Sequence, residues 1–182
     1  MTRAVLPVVL VLASGRGERF RASGGSTHKL QALLQGKTVL QHTLAAVRAS
    51  GLPWHLEDAG HPGMGDSIAA AVRATSAAPG WLVLPGDLPL IQGATLRAVA
   101  AALAHSAVVL PLYRGQRGHP VGFDARCRAA LLACSGEQGA GRVLRAWQVT
   151  ELPVEDLGSV TDVDTVSDLE RALALLGARP GN

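Results

Sequence analysis

Aromatic side chains are scarce in this 182-residue chain: two Phe, one Tyr and three Trp make up 3% of it. Base stacking along a nucleic acid needs such rings in series, and their scarcity argues against that partner. The core must instead be filled by Leu, Val and Ala, which the 48% hydrophobic content supplies. Charge is also sparse, at 17% of residues, and it leaves a net +3 and a pI near 9.4. The basic residues are scattered arginines without a lysine-rich tail, a pattern that fits an anionic small molecule better than a nucleic acid. No apolar run approaches the roughly 20 residues that span a bilayer. Arg3 and Arg16 bracket the only run near the start, and the apolar stretch at 7–14 is too short for a leader peptide and leads directly into a glycine loop. Only two cysteines occur, Cys127 and Cys134, seven apart in an expected helix; about two turns separate them, too far for a disulfide. A reducing, cytoplasmic setting without membrane association follows as an expectation. Linkers, repeats and low-complexity segments are missing too, so 1–182 reads as one domain.

What the chain does contain is an alternation of strand-like and helix-like segments. Strands are expected at 8–12, 81–84, 107–112, 148–152 and 159–163, with 54–58 as a further possible strand. Helices are expected at 39–49, 66–75, 94–105, 126–134, 140–147 and 167–176. The alternation predicts an α/β fold with a mainly parallel sheet flanked by helices, and a site at the carboxyl ends of its strands.

The segment 8–29, VLVLASGRGERFRASGGSTHKL, carries the strongest functional signal. Its Val and Leu run reads as a strand covered on both faces. Gly15 and Gly17 let backbone approach an anion, while Arg16, Arg19, Arg21 and Lys29 bring positive charge to the same place. A dinucleotide fingerprint is excluded because Phe20 stands where its third glycine belongs, and Gly24-Gly25-Ser26-Thr27 is expected to prevent a prompt helix. A Walker loop is excluded because Gly-Lys-Ser/Thr occurs nowhere. A nucleoside triphosphate cradle remains, against the plainer reading of an arginine-rich surface loop.

Three more segments fall at the same expected sheet edge. Gly63-Met64-Gly65-Asp66-Ser67 opens a helix and offers amide donors and a hydroxyl to a nucleotide, although Asp66 and Ser67 also suit ordinary first-turn roles. Pro85-Gly86-Asp87-Leu88-Pro89 sets a carboxylate after a hydrophobic strand in a stiffened turn, a natural place for a Mg²⁺ ligand. Asp162, Asp164, Thr165 and Asp168 precede or open the last helix; Asp164 or Thr165 reads equally as its N-cap, but Asp87 needs a second carboxylate to hold a cation. His119, before Pro120, reads either as a substrate contact or as a satisfied structural group.

Together with Arg117-Gly118-His119-Pro120 and Gly136-Glu137-Gln138-Gly139-Ala140, these segments, in this order, resemble the MobA-like nucleotidyltransferases, and most closely the molybdenum cofactor cytidylyltransferases. The resemblance implies a single Rossmann-like GT-A domain. It implies catalytic roles for Lys29, Asp87, Arg16 and Arg19, and nucleotide contacts from Leu12, Ala13, Ser14, Gly15, Arg16, Gly17, Lys29, Gly65, Ser67 and Asp87. Asp87 and Asp164 would hold Mg²⁺, with Asp162 the less favoured second carboxylate; Arg117, His119, Gln138 and Arg142 would face the acceptor. The implied reaction moves CMP from CTP to the phosphate of molybdopterin, with an apo-molybdoenzyme as a possible recipient of the product. The alternatives are GTP as donor, another phosphorylated acceptor, or a non-catalytic carrier of the finished cofactor. The chain departs from the family pattern twice. Only 51–62 separates the first helix from the Gly-Met-Gly turn, so the sheet should be a strand short, and Gly141 stands where the family has an arginine, with Arg142 one position later.

Overall fold

The computed structural model describes residues 6–178; Arg3 and the two ends of the expected 1–182 domain lie outside the described residues. Chain order is β1 (Val8–Leu12), α1 (Glu18–Ala22), the hairpin β2 (Leu33–Leu34) and β3 (Lys37–Thr38), α2 (Val39–Ser50), β4 (Trp54–Glu57), α3 (Met64–Ala74) and β5 (Gly80–Pro85). There follow α4 (Gly93–Ala102), β6 (Val108–Tyr113), β7 (Gln116–Arg117), β8 (Val121–Asp124), α5 (Arg128–Leu132), α6 (Gly141–Ala146), β9 (Val149–Pro153) and α7 (Val166–Gly177).

A mostly parallel sheet carries the fold. β1 pairs in parallel with β4 and β5, and β6 pairs in parallel with β9. β8 joins these halves, antiparallel to β5 on one side and to β6 on the other. β7 pairs with the far end of β6 on the same antiparallel course, so β7 and β8 form one strand broken at Gly118-His119-Pro120. The hydrophobic runs of β1 and β5 are explained by cover on both faces. Leu10, Leu12, Trp81 and Val83 enter the core under α3 and α6, while Val9, Val11, Leu82 and Leu84 enter the core under α2 and α4. A third cluster joins Phe20, Leu30 and Val39 to Ala172 of α7. Among the described residues no helix is long and apolar enough to cross a membrane.

Local chemistry fixes the helix ends. Thr38 and Gln41 close a capping box on α2, and Gly51 ends that helix at φ 71°. Asp156, 64 positions from its partner, accepts the Gln92 N–H at 2.9 Å and the Thr95 hydroxyl at 2.7 Å, which satisfies the start of α4.

Four expectations are corrected. A helix does follow the glycine loop promptly: α1 begins at Glu18, because Gly17 adopts φ 65° and turns the chain before Gly24 and Gly25 are reached. The expected strand at 159–163 is a 3-10 turn, Leu157–Val160, whose Gly158 is pressed against the Leu90 carbonyl. The expected helix at 126–134 is split into a 3-10 turn, Ala125–Cys127, capped by Asp124, and α5, which ends before Cys134. Finally, α3 begins at Met64, two residues early, with Gly63 as its extended N-cap. Both cysteines are free. The segment 51–62 contributes the single strand β4, which closes the parallel edge.

Candidate active site

The site forms where the carboxyl ends of β1 and β5 lie side by side. Gly86 just beyond β5 donates its N–H to the Leu12 carbonyl at 2.9 Å, and a Cβ there would stand 3.0 Å from the same oxygen, so glycine is what lets the two loops meet. The Thr43 hydroxyl of α2 fixes the Gly86 carbonyl from below at 2.9 Å. Asp87 follows, only 8% exposed, and its backbone carbonyl accepts the Val163 N–H at 3.0 Å. That bond draws the approach to α7 into the site. Thr165 and Asp168 form the capping box of α7, leaving the Asp164 carboxylate free of capping work.

Asp164 turns to Lys29 instead. The Lys29 ammonium donates to Asp87 Oδ2 at 2.5 Å and to Asp164 Oδ1 at 2.7 Å, and Arg19 Nη1 pairs with Asp164 Oδ2 at 2.8 Å. Burial alone would push the Lys29 pKa down, but the two carboxylates outweigh it and hold the pKa above its ordinary value. Asp87 Oδ1 is buried and has no hydrogen-bond partner among the described residues. An unsatisfied carboxylate oxygen beside a second carboxylate is the oxygen-only donor set that a hard divalent cation takes. Asp162 is exposed and makes none of these contacts; burial, and then Asp164 and Asp87, push its pKa up.

The glycine loop roofs this floor. His28 Nδ1 accepts the Leu30 N–H at 3.2 Å, so Nε2 carries the hydrogen and donates to the Gly15 carbonyl at 2.6 Å. The Ala13 N–H and the Ser14 hydroxyl both reach the Glu57 carbonyl of β4, at 2.8 and 3.1 Å. The Glu57 side chain is held in turn between His61 Nε2 at 3.0 Å and His55 Nε2 at 3.3 Å. Burial would raise its pKa, but the two imidazoles outweigh burial and lower it. Arg16 is exposed and lies 3.8 Å from Glu18.

Between loop and floor lies a cavity of about 400 Å³. Leu12, Ser14, Gly15, Arg16, Gly17, Arg19, Lys29, Ser67, Asp87 and Asp164 line it together. Ala13 and Gly65 do not: Glu57 takes the Ala13 N–H, and the Gly65 N–H donates to the Gly136 carbonyl at 2.7 Å. Ser67 does line the cavity, with its hydroxyl donated to the Gly63 carbonyl at 3.2 Å. The four residues expected to face an acceptor lie outside this cavity. Arg117 is exposed and pairs with Glu151 at 2.7 Å, and Gln138 and Arg142 are exposed on the 135–142 segment. His119 donates its backbone N–H to the Ser159 carbonyl at 2.9 Å, and its ring nitrogen Nδ1 is buried without a partner among the described residues. Burial lowers its pKa although the Asp87 carboxylate pulls the other way. Sequence reasoning missed His28 and the His55, Glu57, His61 cluster; the available signals were a histidine adjoining Lys29 and a His-x-Glu-x₃-His spacing at the end of β4.

A family model described as the MobA-like NTP transferase domain matches residues 44–152. The chain belongs to that family. The matched span takes in Asp87 but neither the glycine loop nor Asp164, which the fold brings to it from outside. Among curated proteins of this kind, the chain is 27% identical over 113 residues to the purine catabolism protein PucB of Bacillus subtilis. The aligned stretch covers 59% of this chain and 55% of PucB, so the chain spans about half the length of that relative. Solved structures share the fold over almost the whole chain. Rv0371c of Mycobacterium tuberculosis is 23% identical with a TM-score of 0.79, covering 95% of this chain and 100% of that one, and it has also been crystallised as a complex with manganese. Molybdopterin-guanine dinucleotide biosynthesis protein A from Archaeoglobus fulgidus is 19% identical with a TM-score of 0.69, covering 94% and 100%.

Proposed function

We propose that this family member is a nucleotidyltransferase that moves CMP from CTP to the phosphate of molybdopterin, releasing pyrophosphate. The observation that carries the reading is the Lys29 ammonium set between Asp87 and Asp164 on the floor of a glycine-roofed cavity. In the reaction an acceptor phosphate oxygen forms a bond to the α-phosphorus, the bond from that phosphorus to its β-bridging oxygen breaks, and the electron pair leaves with pyrophosphate. The acceptor is already an anion, so no general base is needed; the protein's work is to align two negative reactants and offset their repulsion. Backbone of Gly15 and Gly17 receives the phosphates, while Arg16 and Arg19, both largely exposed and able to swing inward, add counter-charge. Asp87, through its unpartnered Oδ1, and Asp164 would hold a divalent cation, Mg²⁺ in this reading, which when bound neutralises charge on the nucleotide oxygens. The choice of CTP and of molybdopterin rests on the motifs quoted from the sequence. Arg117, His119, Gln138 and Arg142 remain its acceptor-side residues, reached only if the acceptor extends beyond the cavity.

The test is pyrophosphate release with each of the four nucleoside triphosphates, with and without molybdopterin. Release with CTP and molybdopterin alone supports the full reading. Preference for GTP would change the donor and keep the chemistry. Release with neither, alongside tight binding of the finished cofactor, would refute transfer and favour a carrier.

A further inference from the structure

Lys29 is one of only two lysines in the chain; the other, Lys37, is exposed in the β2–β3 hairpin. Its ammonium already sits where the two carboxylates converge, using Asp87 Oδ2 and Asp164 Oδ1 at 2.5 and 2.7 Å. Both Asp164 oxygens are taken, Oδ1 by Lys29 and Oδ2 by Arg19. A divalent ion held between Asp164 and the unpartnered Oδ1 of Asp87 would therefore meet the ammonium at the same point of negative potential, and the two cations cannot share it. Nor can the ammonium simply be absent, because two partly buried carboxylates left facing each other would be strongly destabilising. A flexible four-carbon stem lets the head swing while its root stays fixed. The root is firm: the Leu30 N–H beside it is held by His28, and Leu30 itself is buried. The cavity above is where a triphosphate would present its oxygens.

We propose that Lys29 is the resident cation of the carboxylate pair, and that it yields Asp87 and Asp164 to a divalent ion by swinging onto the phosphates of the nucleotide. The proposal rests on the reading of Asp87 and Asp164 as cation ligands. Two consequences follow. Divalent ion alone must compete with a tethered ammonium and binds weakly, whereas triphosphate gives the displaced ammonium a new partner, so ion and nucleotide favour each other's binding reciprocally. The pair of carboxylates would also stay compensated whenever the ion is absent, because the tethered ammonium can return to Asp87 and Asp164.

The two-lysine composition makes the swing directly readable in the wild-type protein. Reductive methylation with formaldehyde and cyanoborohydride, followed by peptide mass spectrometry, reports the accessibility of Lys29 with Lys37 as internal reference. Without metal, Lys29 should label at least tenfold more slowly than Lys37. Saturating Mg²⁺ should raise the Lys29 rate at least severalfold without changing that of Lys37, and Mg²⁺ with CTP should lower it again. In parallel, Mn²⁺ binding followed by electron paramagnetic resonance should be at least tenfold tighter in Lys29→Met than in wild type. A Lys29 labelling rate that Mg²⁺ leaves unchanged or lowers, while Asp87→Asn abolishes Mn²⁺ binding, would overturn the displacement and leave the cation site standing. Mn²⁺ binding equal in wild type and Asp87→Asn, or undetectable in wild type and Lys29→Met alike, would overturn the cation site and the displacement together.

Discussion

Replacing Asp87 by Asn keeps the shape of the side chain and removes its charge, which separates the chemistry of the site from its packing. In the variant Lys29 would retain Asp164 at 2.7 Å but lose its 2.5 Å partner, so the two cations Lys29 and Arg19 would share one carboxylate. A hydrogen bond to a charged group contributes roughly 1.5–3 kcal/mol, and the low end applies here because one carboxylate remains and Asn can still accept a weaker bond. For a domain of this size about 1.5 kcal/mol corresponds to a fall in Tm of roughly 3–6 °C, which leaves the protein folded at 25 °C. Transfer should suffer far more. Loss of a principal electrostatic group costs on the order of 10²–10³ in turnover, or about 2.7–4 kcal/mol of transition-state stabilisation. The assay pairs pyrophosphate release under saturating CTP with a thermal melt of the same preparation. A folded Asp87→Asn protein that turns over within about threefold of wild type would remove Asp87 from the mechanism, because an effect of that size is under about 1 kcal/mol.

Glu57 gives a prediction in pH. Its folded pKa is lowered, so its contribution to stability is present above the unfolded value of 4.5 and is lost as pH falls through the folded value. Glu57→Gln should therefore melt below wild type at pH 7, with the two curves converging as pH is lowered beneath 4.5; a gap of constant size across that range would refute the assignment. Gly158→Ala would drive a Cβ into the Leu90 carbonyl, against the backbone of Leu90 and Ile91, which cannot move aside as a flexible side chain could. Overpacking of that kind costs about 1–3 kcal/mol or more, and a melt within 1 °C of wild type would contradict the close approach, since about 2–4 °C is expected per kcal/mol. Thr165→Ala removes the cap of α7 at about 1 kcal/mol. Because the cap also sets the direction of Asp164, nucleotide-dependent pyrophosphate release should fall as well, whereas a loss of Tm with unchanged release would confine Thr165 to stability.

Much of this architecture could be read from the residues because the strands that build the site are buried on both faces and announce themselves as unbroken Val and Leu runs. β1 and β5 were expected within a residue or two of their bounds, and with them the placement of Gly15 and Asp87. β8 was not foreseen, although it lies at the centre of the sheet. It is four residues long, carries a glycine in its middle and follows a proline, all of which argue against a central strand. The glycine is there because a Cβ would stand 2.9 Å from Val99, so its absence lets α4 lie close over the strand. Such a reason belongs to tertiary packing and leaves no periodic trace. The same holds for Asp164, whose local sequence suits a helix cap as well as a cation ligand. What distinguishes the two is that the neighbouring Thr165 does the capping, which only the folded geometry reveals. His28 and Glu57 were missed for a related reason: each acts by holding the glycine loop through main-chain carbonyls, a role open to many residue types.

Lys29 meets one partner 58 positions downstream and another 135 positions downstream. The charged centre therefore cannot exist in any partly assembled chain, since the first strand, the middle of the sheet and the approach to the last helix must all have docked before it closes. Contacts of such span carry a large loop-closure entropy and form late. A nucleotide bound there would act as a rivet through three distant stretches, slowing amide exchange in β1, β5 and α7 in concert, because only the globally folded state can hold it.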